Sequence, residues 1–122
     1  MKLFIIGNGF DIGHGLPTRY WDFRNYLENI IHVNFIECGK SGLLYDNEIT
    51  IDSLLECQTD RNIKIYNFTC EQIDNNTYLV HYITVTNDIK YYRTSIWKQE
   101  ENLKLYFHQA TEFIDKVELV EN

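Results

Sequence analysis

Basic residues are scarce in this chain. Lys and Arg together number 11 against 18 Asp and Glu, a formal net charge of −7 over 122 residues. No cluster of Lys or Arg interrupts that balance. The electrostatic footprint of a phosphate-backbone binder is therefore missing, and nucleic acid is not an expected partner. Proline occurs once and glycine six times, which excludes a low-complexity linker. The three cysteines, Cys38, Cys57 and Cys70, are odd in number and have no C-x-x-C spacing or accompanying His pair. That excludes a disulfide framework and a zinc pattern, so no metal or other cofactor is expected and the thiols read as reduced. His14, His32 and His81 are scattered and read as structural or solvated. Long apolar runs are lacking too. Met1 to Ile6 is apolar but stops at Gly7, too short for a signal peptide, and nothing approaches the ~20 apolar residues of a membrane helix. A cytoplasmic protein with no membrane partner is expected.

What the chain does have is aromatic weight: nine Tyr, seven Phe and two Trp bring aromatic content to 15%. Strands accommodate that bias better than helices, and this length suits one domain. Leu3 to Ile6 reads as a buried strand ended by Gly7-Asn8-Gly9. Pro17 or Thr18 opens a helix. Tyr20, Phe23, Leu27, Ile30 and Ile31 give it one apolar stripe, and Asn34 ends it. Phe35 to Cys38 is a strand, Gly39 to Gly42 a turn, and Leu43 to Tyr45 a short returning strand. Asp46 or Asn47 caps a second helix carrying Ile49, Ile51, Leu54 and Leu55. Strands follow at Ile63–Ile73 and Tyr78–Thr86, with turns at Asp74-Asn75-Asn76 and Asn87-Asp88. A hairpin of Tyr91–Trp97 and Leu103–Thr111 closes the sheet, and 115–122 is an acidic tail. Strands joined by short turns imply an antiparallel sheet, and helices on one side of it make an α+β domain. A parallel dinucleotide-binding sheet has no room for its helices after Ile63.

The hairpin concentrates polar chemistry. A two-residue turn at Glu100-Glu101 would set Arg93 opposite His108 and Ser95 opposite Tyr106, with Trp97 on the same face by alternation. The other face would pair Ile96 with Leu105 and Thr94 with Phe107. If Glu37 reaches the polar face, then Glu37, Arg93 and His108 form a charged cluster suited to acid–base work, or to polar anchoring of a ligand. Tyr82, Ser95, Trp97, Tyr106 and Gln109 are its candidate ligand-binding neighbours. The competing reading is a structural Glu37–Arg93 ion pair with His108 as a satisfied core histidine.

Gly7 and Gly9 end a strand ahead of a helix, with Ile12 where a third glycine of G-x-G-x-x-G would stand. They serve either a tight turn or close approach of a phosphate, with Gly7, Asn8, Gly9 and Asp11 as the candidate nucleotide-binding residues. Residues 4–27, through Gly7-Asn8-Gly9-Phe10-Asp11, His14-Gly15-Leu16-Pro17-Thr18, Tyr20 and Asp22-Phe23, resemble the opening of the AbiH family of phage abortive-infection proteins. That opening is in turn similar to the nucleotide-binding start of sirtuin-like proteins.

Residues 27–113 resemble a second family. Phe35-Ile36-Glu37-Cys38-Gly39, Ser41-Gly42, Arg93-Thr94-Ser95-Ile96-Trp97 and Phe107-His108-Gln109-Ala110-Thr111 are similar to ketosteroid-isomerase homologues of the SnoaL-like, nuclear transport factor 2-like superfamily. Ala110 stands where a Gly is usual. The resemblance implies a cone-like curved antiparallel sheet wrapped on helices, with a pocket in its mouth, and a homodimer. The organisation expected is a strand, glycine loop and helix start over 1–26, a SnoaL-like α+β domain over 27–114, and the tail. The function expected is small-molecule binding, with catalysis left open. The alternative is an interaction or phage-defence module in which the cone serves dimerisation.

Overall fold

The computed structural model describes residues 20–56 and 64–121. The expected strand at Leu3–Ile6, the glycine loop with Gly7, Asn8, Gly9 and Asp11, the cap at Pro17 or Thr18, and Cys57 all lie outside them. Helix α1 (Tyr20–Ile30) leads into β1 (Ile31–Cys38), β2 (Leu44–Asp46) and helix α2 (Asn47–Glu56). Then come β3 (Tyr66–Asp74), β4 (Thr77–Thr86), β5 (Ile89–Gln99) and β6 (Leu103–Phe113). The six strands form one curved sheet in the order β2-β1-β6-β5-β4-β3. The α+β class and curved sheet agree with the sequence reading.

Both helices cover one face of that sheet. Leu27 of α1 and Ile51, Leu54 and Leu55 of α2 share a buried cluster with Ile31, Phe35, Val80, Tyr82, Trp97 and Leu105. Burial of each such side chain is worth about 1.5–3 kcal/mol.

The first helix stops earlier than its apolar stripe suggests. It ends at Ile30 and the chain enters β1 at once, rather than continuing to Asn34. The side-chain amide of Asn47 explains the stop. It donates to the carbonyls of Ile31 at 3.1 Å and His32 at 2.9 Å, taking two acceptors that a continuing helix would use for its own backbone. The second helix begins as expected, with Asp46 Oδ1 accepting from the Ile49 backbone N–H at 2.8 Å.

Two turns are also as read. Asn87 and Asp88 link β4 to β5 with φ of 51° and 65°, the left-handed pair that favours Asn and Asp in a two-residue hairpin. Asp74 Oδ1 accepts from the Asn76 N–H at 2.8 Å in the turn before β4.

One pairing departs from the antiparallel pattern: β1 runs parallel to β6, with Glu37 beside His108 and Ile36 beside Phe107. These strands lie far apart in the chain, so no short turn dictates their direction.

The β5–β6 hairpin carries a register correction. Its link is Glu100-Glu101-Asn102, not two residues, since Gln99 pairs with Leu103. Beyond it Trp97 pairs with Leu105 and Ile96 with Phe107, leaving Tyr106 as an extra residue in a bulge. Ser95 therefore lies opposite His108, Thr94 opposite Gln109, and Arg93 opposite Ala110. The longer link and the bulge each displace the register by one. Together they restore the alternation, so Arg93, Ser95 and His108 still share a face.

Candidate functional site

Alternation along β5 turns Tyr91, Arg93, Ser95 and Trp97 inward, and all four are buried. On β6 the inward residues beyond the bulge are His108 and Ala110; on β4 they include Tyr82 and Thr84. Glu37 arrives from β1 alongside His108. The polar residues of these strands thus meet on the helix-facing side, at the edge of the apolar core.

Arg93 organises the group. Its Nε donates to Thr84 Oγ1 at 2.7 Å, and Nη1 lies 3.4 Å from His108 Nε2. A guanidinium only donates, so His108 Nε2 accepts and the ring proton sits on Nδ1. Nδ1 then donates to Ser95 Oγ at 2.7 Å, which leaves the hydrogen of Ser95 directed elsewhere. His108 has no exposed surface. Burial, reinforced by Arg93, pushes its pKa down from 6.5 to about 3. Near neutral pH it is an uncharged relay between Arg93 and Ser95, not a titrating base.

Glu37 moves the other way. It is 4% exposed, and burial raises its pKa from 4.5 to about 7, with the Arg93 charge holding it partly down. No hydrogen bond or ion pair joins Glu37 to Arg93 among the described residues, so the two act on each other through space. The closed structural ion pair weighed from sequence is therefore not formed. Gly39 makes room for the carboxyl: a Cβ there would lie 3.2 Å from Glu37 Oε1. Burial also lowers the pKa of Arg93, while Tyr82 and Glu37 favour its charged form.

The Tyr82 side chain is 3% exposed and forms part of the core, but its hydroxyl has no hydrogen-bond partner among the described residues. Ser95 lies near enough to influence it without completing a well-formed bond. Burial pushes the phenol pKa up, so it stays protonated. Beyond it, the Tyr91 ring is flanked by Arg93 at 5.9 Å and Lys40 at 5.5 Å.

Glu37, Arg93, His108, Ser95 and Tyr82 are thus brought together. Trp97 is buried in the apolar core beside Leu105. Tyr106 turns to the other face, against His32 at 4.8 Å between ring centroids and Lys98 at 4.9 Å. Gln109 is exposed there, opposite Thr94. Sequence reasoning missed Thr84, Gly39, Tyr91 and Lys40. Thr84 was within reach, because alternation places it on the face of Tyr82; nothing in the sequence marked Lys40. Among the described residues no cluster of His, Cys, Asp and Glu could hold a metal ion, and no helix is long and apolar enough to cross a membrane.

The sequence profile of the bacteriophage abortive infection AbiH family matches residues 3–120. The chain belongs to the AbiH family. The match therefore extends well past residues 4–27, through the whole sheet. No curated protein matches this AbiH-family chain. Solved structures show its fold. An NTF2-like protein from Cytophaga hutchinsonii is 18% identical, with a TM-score of 0.62 over 74% of this chain and 82% of its own. An NTF2-like protein of unknown function in nutrient uptake from Rhodospirillum rubrum is 11% identical, at 0.58 over 75% and 85%. A Ca/calmodulin-dependent kinase II association domain, so named, from Exiguobacterium sibiricum is 18% identical, at 0.51 over 76% and 80%. At these identities the likeness is one of fold: this AbiH-family chain has the nuclear transport factor 2-like architecture.

Proposed function

We propose that the inward cluster of Glu37, Tyr82, Arg93, Ser95 and His108 binds a small molecule in a cytoplasmic NTF2-like domain. The observation that carries this is the pairing of a buried Glu37 carboxyl, hydrogen-bonded to none of the described residues, with a chain of oriented donors, Arg93 to His108 to Ser95. A structural cluster would be expected to close Glu37 onto Arg93. Here they stay apart, and a carboxyl titrating near 7 is poised to exchange a proton at working pH. If the site is catalytic, Glu37 is its acid–base group, and His108 holds Ser95 in place.

The test is a thermal-shift screen of small aromatic and aliphatic compounds on wild type and on Glu37→Gln and Ser95→Ala. Compounds that stabilise wild type and lose that effect in both variants are expected. No stabilising compound, with both variants melting well below wild type, would assign the cluster to the fold alone.

A second reading has its own observation. Val33, Ile36, Val85 and Tyr92 are exposed apolar residues on the strands. In an abortive-infection family such a surface fits a homodimer serving as an interaction or defence module. The same domain can do both. For a nucleotide at Gly7, Asn8, Gly9 and Asp11, the observable is stabilisation by nucleotides in the same screen.

A further inference from the structure

We propose that Glu37 and Tyr82 form a proton-controlled latch. When the carboxyl gives up its proton it turns from Gly39 to the Tyr82 hydroxyl, which donates to it. The latch rests on the acid–base reading of Glu37 above and adds its regulation.

Hydrogens in this cluster run in one direction. Arg93 donates to His108 Nε2, and His108 Nδ1 donates to Ser95 Oγ. The Ser95 hydrogen is left for its neighbour, the Tyr82 oxygen. Tyr82 must then send its own hydrogen elsewhere. Arg93 only donates, Thr84 Oγ1 already accepts from Arg93, and His108 Nε2 is taken. Glu37 is the acceptor left over. It is hydrogen-bonded to none of the described residues, and Tyr82 feels its charge. The cluster thus holds a buried donor without an acceptor beside a carboxyl without a donor. That combination is unfavourable until the two meet.

Gly39 supplies the other position. Its φ lies outside the left-handed region, so backbone conformation does not call for glycine there. Among the described residues, a Cβ at 39 would meet only the Glu37 carboxyl, 3.2 Å from Oε1 and 3.9 Å from Cδ. Glycine therefore gives the carboxyl a place to rest without bonding Arg93. The protonated carboxyl rests there. The ionised one needs a donor, and Tyr82 has one to give. The released proton goes to solvent, and the phenol keeps its own. Around the pair stand Arg93 and Tyr91 of β5, His108 of β6, Tyr45 of β2 and Lys40 of the turn after β1. Burial sends His108 far below the range in which Glu37 titrates.

The experiment follows the full chain by NMR from roughly pH 5 to 9, with labelled Glu carboxyl and Tyr hydroxyl-bearing carbons. The Tyr82 signal is expected to move with the Glu37 midpoint. Tyr82→Phe keeps the ring in the core and should raise that midpoint by about one pH unit. This is a tenfold change in the ionisation constant, as expected for losing one hydrogen bond to a charged group. Gly39→Ala crowds the resting position and should lower the midpoint, a shift of opposite sign. If Gly39→Ala does not fold, the first two outcomes still decide. A flat Tyr82 signal, a midpoint that Tyr82→Phe leaves in place, or a Gly39→Ala midpoint above wild type would overturn the latch and leave Glu37 as the acid–base group. A Glu37 carboxyl that does not titrate in this range would overturn both.

Discussion

At the scale of single residues, Glu37 and His108 lie side by side on parallel strands, and burial moves their proton affinities in opposite directions. Folded Glu37 holds its proton from its ordinary 4.5 up to about 7. Its contribution to stability is complete below 4.5 and is lost as pH rises through about 7. Folded His108 refuses a proton from 6.5 down to about 3, so its contribution is complete above 6.5 and is lost as pH falls through about 3. Arg93, Ser95 and Tyr82 face both groups and do not titrate in this range. Between 4.5 and 6.5 the two slopes oppose each other. Urea unfolding from pH 4.5 to 7.5 should therefore show a shallow profile for wild type. Relative to it, His108→Gln should lose on the order of 2–3 kcal/mol with rising pH, and Glu37→Gln should gain a comparable amount, at about 1.4 kcal/mol per pKa unit. Parallel profiles for the three proteins would contradict the assignment. Much of this cluster was legible in the sequence: strand alternation puts Arg93 and Ser95 on one face, and His108 joins them because the longer link and the bulge cancel in the register. The partner of each was not, because a link without glycine does not announce its length and Tyr106 does not announce a bulge.

At the scale of elements, unforeseen features arise where a side chain far along the chain intervenes. Asn47 stops the first helix by taking the carbonyls of Ile31 and His32, and no local pattern around Ile30 encodes that. Asn67 does the same for the tail. Its φ is 53°, its Nδ2 donates to the Glu118 carbonyl at 3.0 Å, and its Oδ1 accepts from the Val120 N–H at 2.6 Å. Its backbone N–H reaches the Val120 carbonyl at 2.8 Å, and Tyr66 bridges to Glu121. Residues 118–121 are thus fastened along the start of β3, where acidic composition alone suggested a loose tail. Asn67→Gly keeps the left-handed backbone accessible and deletes both side-chain bonds. It should cost about 1–2 kcal/mol and speed hydrogen exchange at Val120 at least tenfold, while amides of β4 and β5 barely change. Unaltered exchange at Val120 would mean that backbone pairing alone holds the segment.

At the scale of the molecule, two resemblances that divide the sequence coincide in one architecture. The AbiH match spans residues 3–120, and the domain within it has the nuclear transport factor 2-like fold. The fold was readable because strands, turns and helix stripes are local. The continuity of the AbiH match was not, since its quoted motifs crowd before Leu27. The exposed side of the sheet carries Ile36 at 42% and Tyr92 at 43% exposure, the latter stacked on His81 and edge-on to Phe113. If copies associate there, sedimentation equilibrium should give a dimer, and Ile36→Lys with Tyr92→Lys should raise its dissociation constant by at least tenfold. A monomer at all concentrations would exclude that association. The parallel pairing of β1 with β6 has one more implication, concerning time. The first and last strands of the described sheet must meet before Glu37 can lie beside His108, and such distant contacts form late because so much chain must first be gathered. A nascent chain that has reached Ile96 already contains Glu37, Tyr82, Thr84 and Arg93, but not the His108 that lies between Glu37 and Ser95. The cluster is therefore a completion mark: a chain that displays it has finished folding.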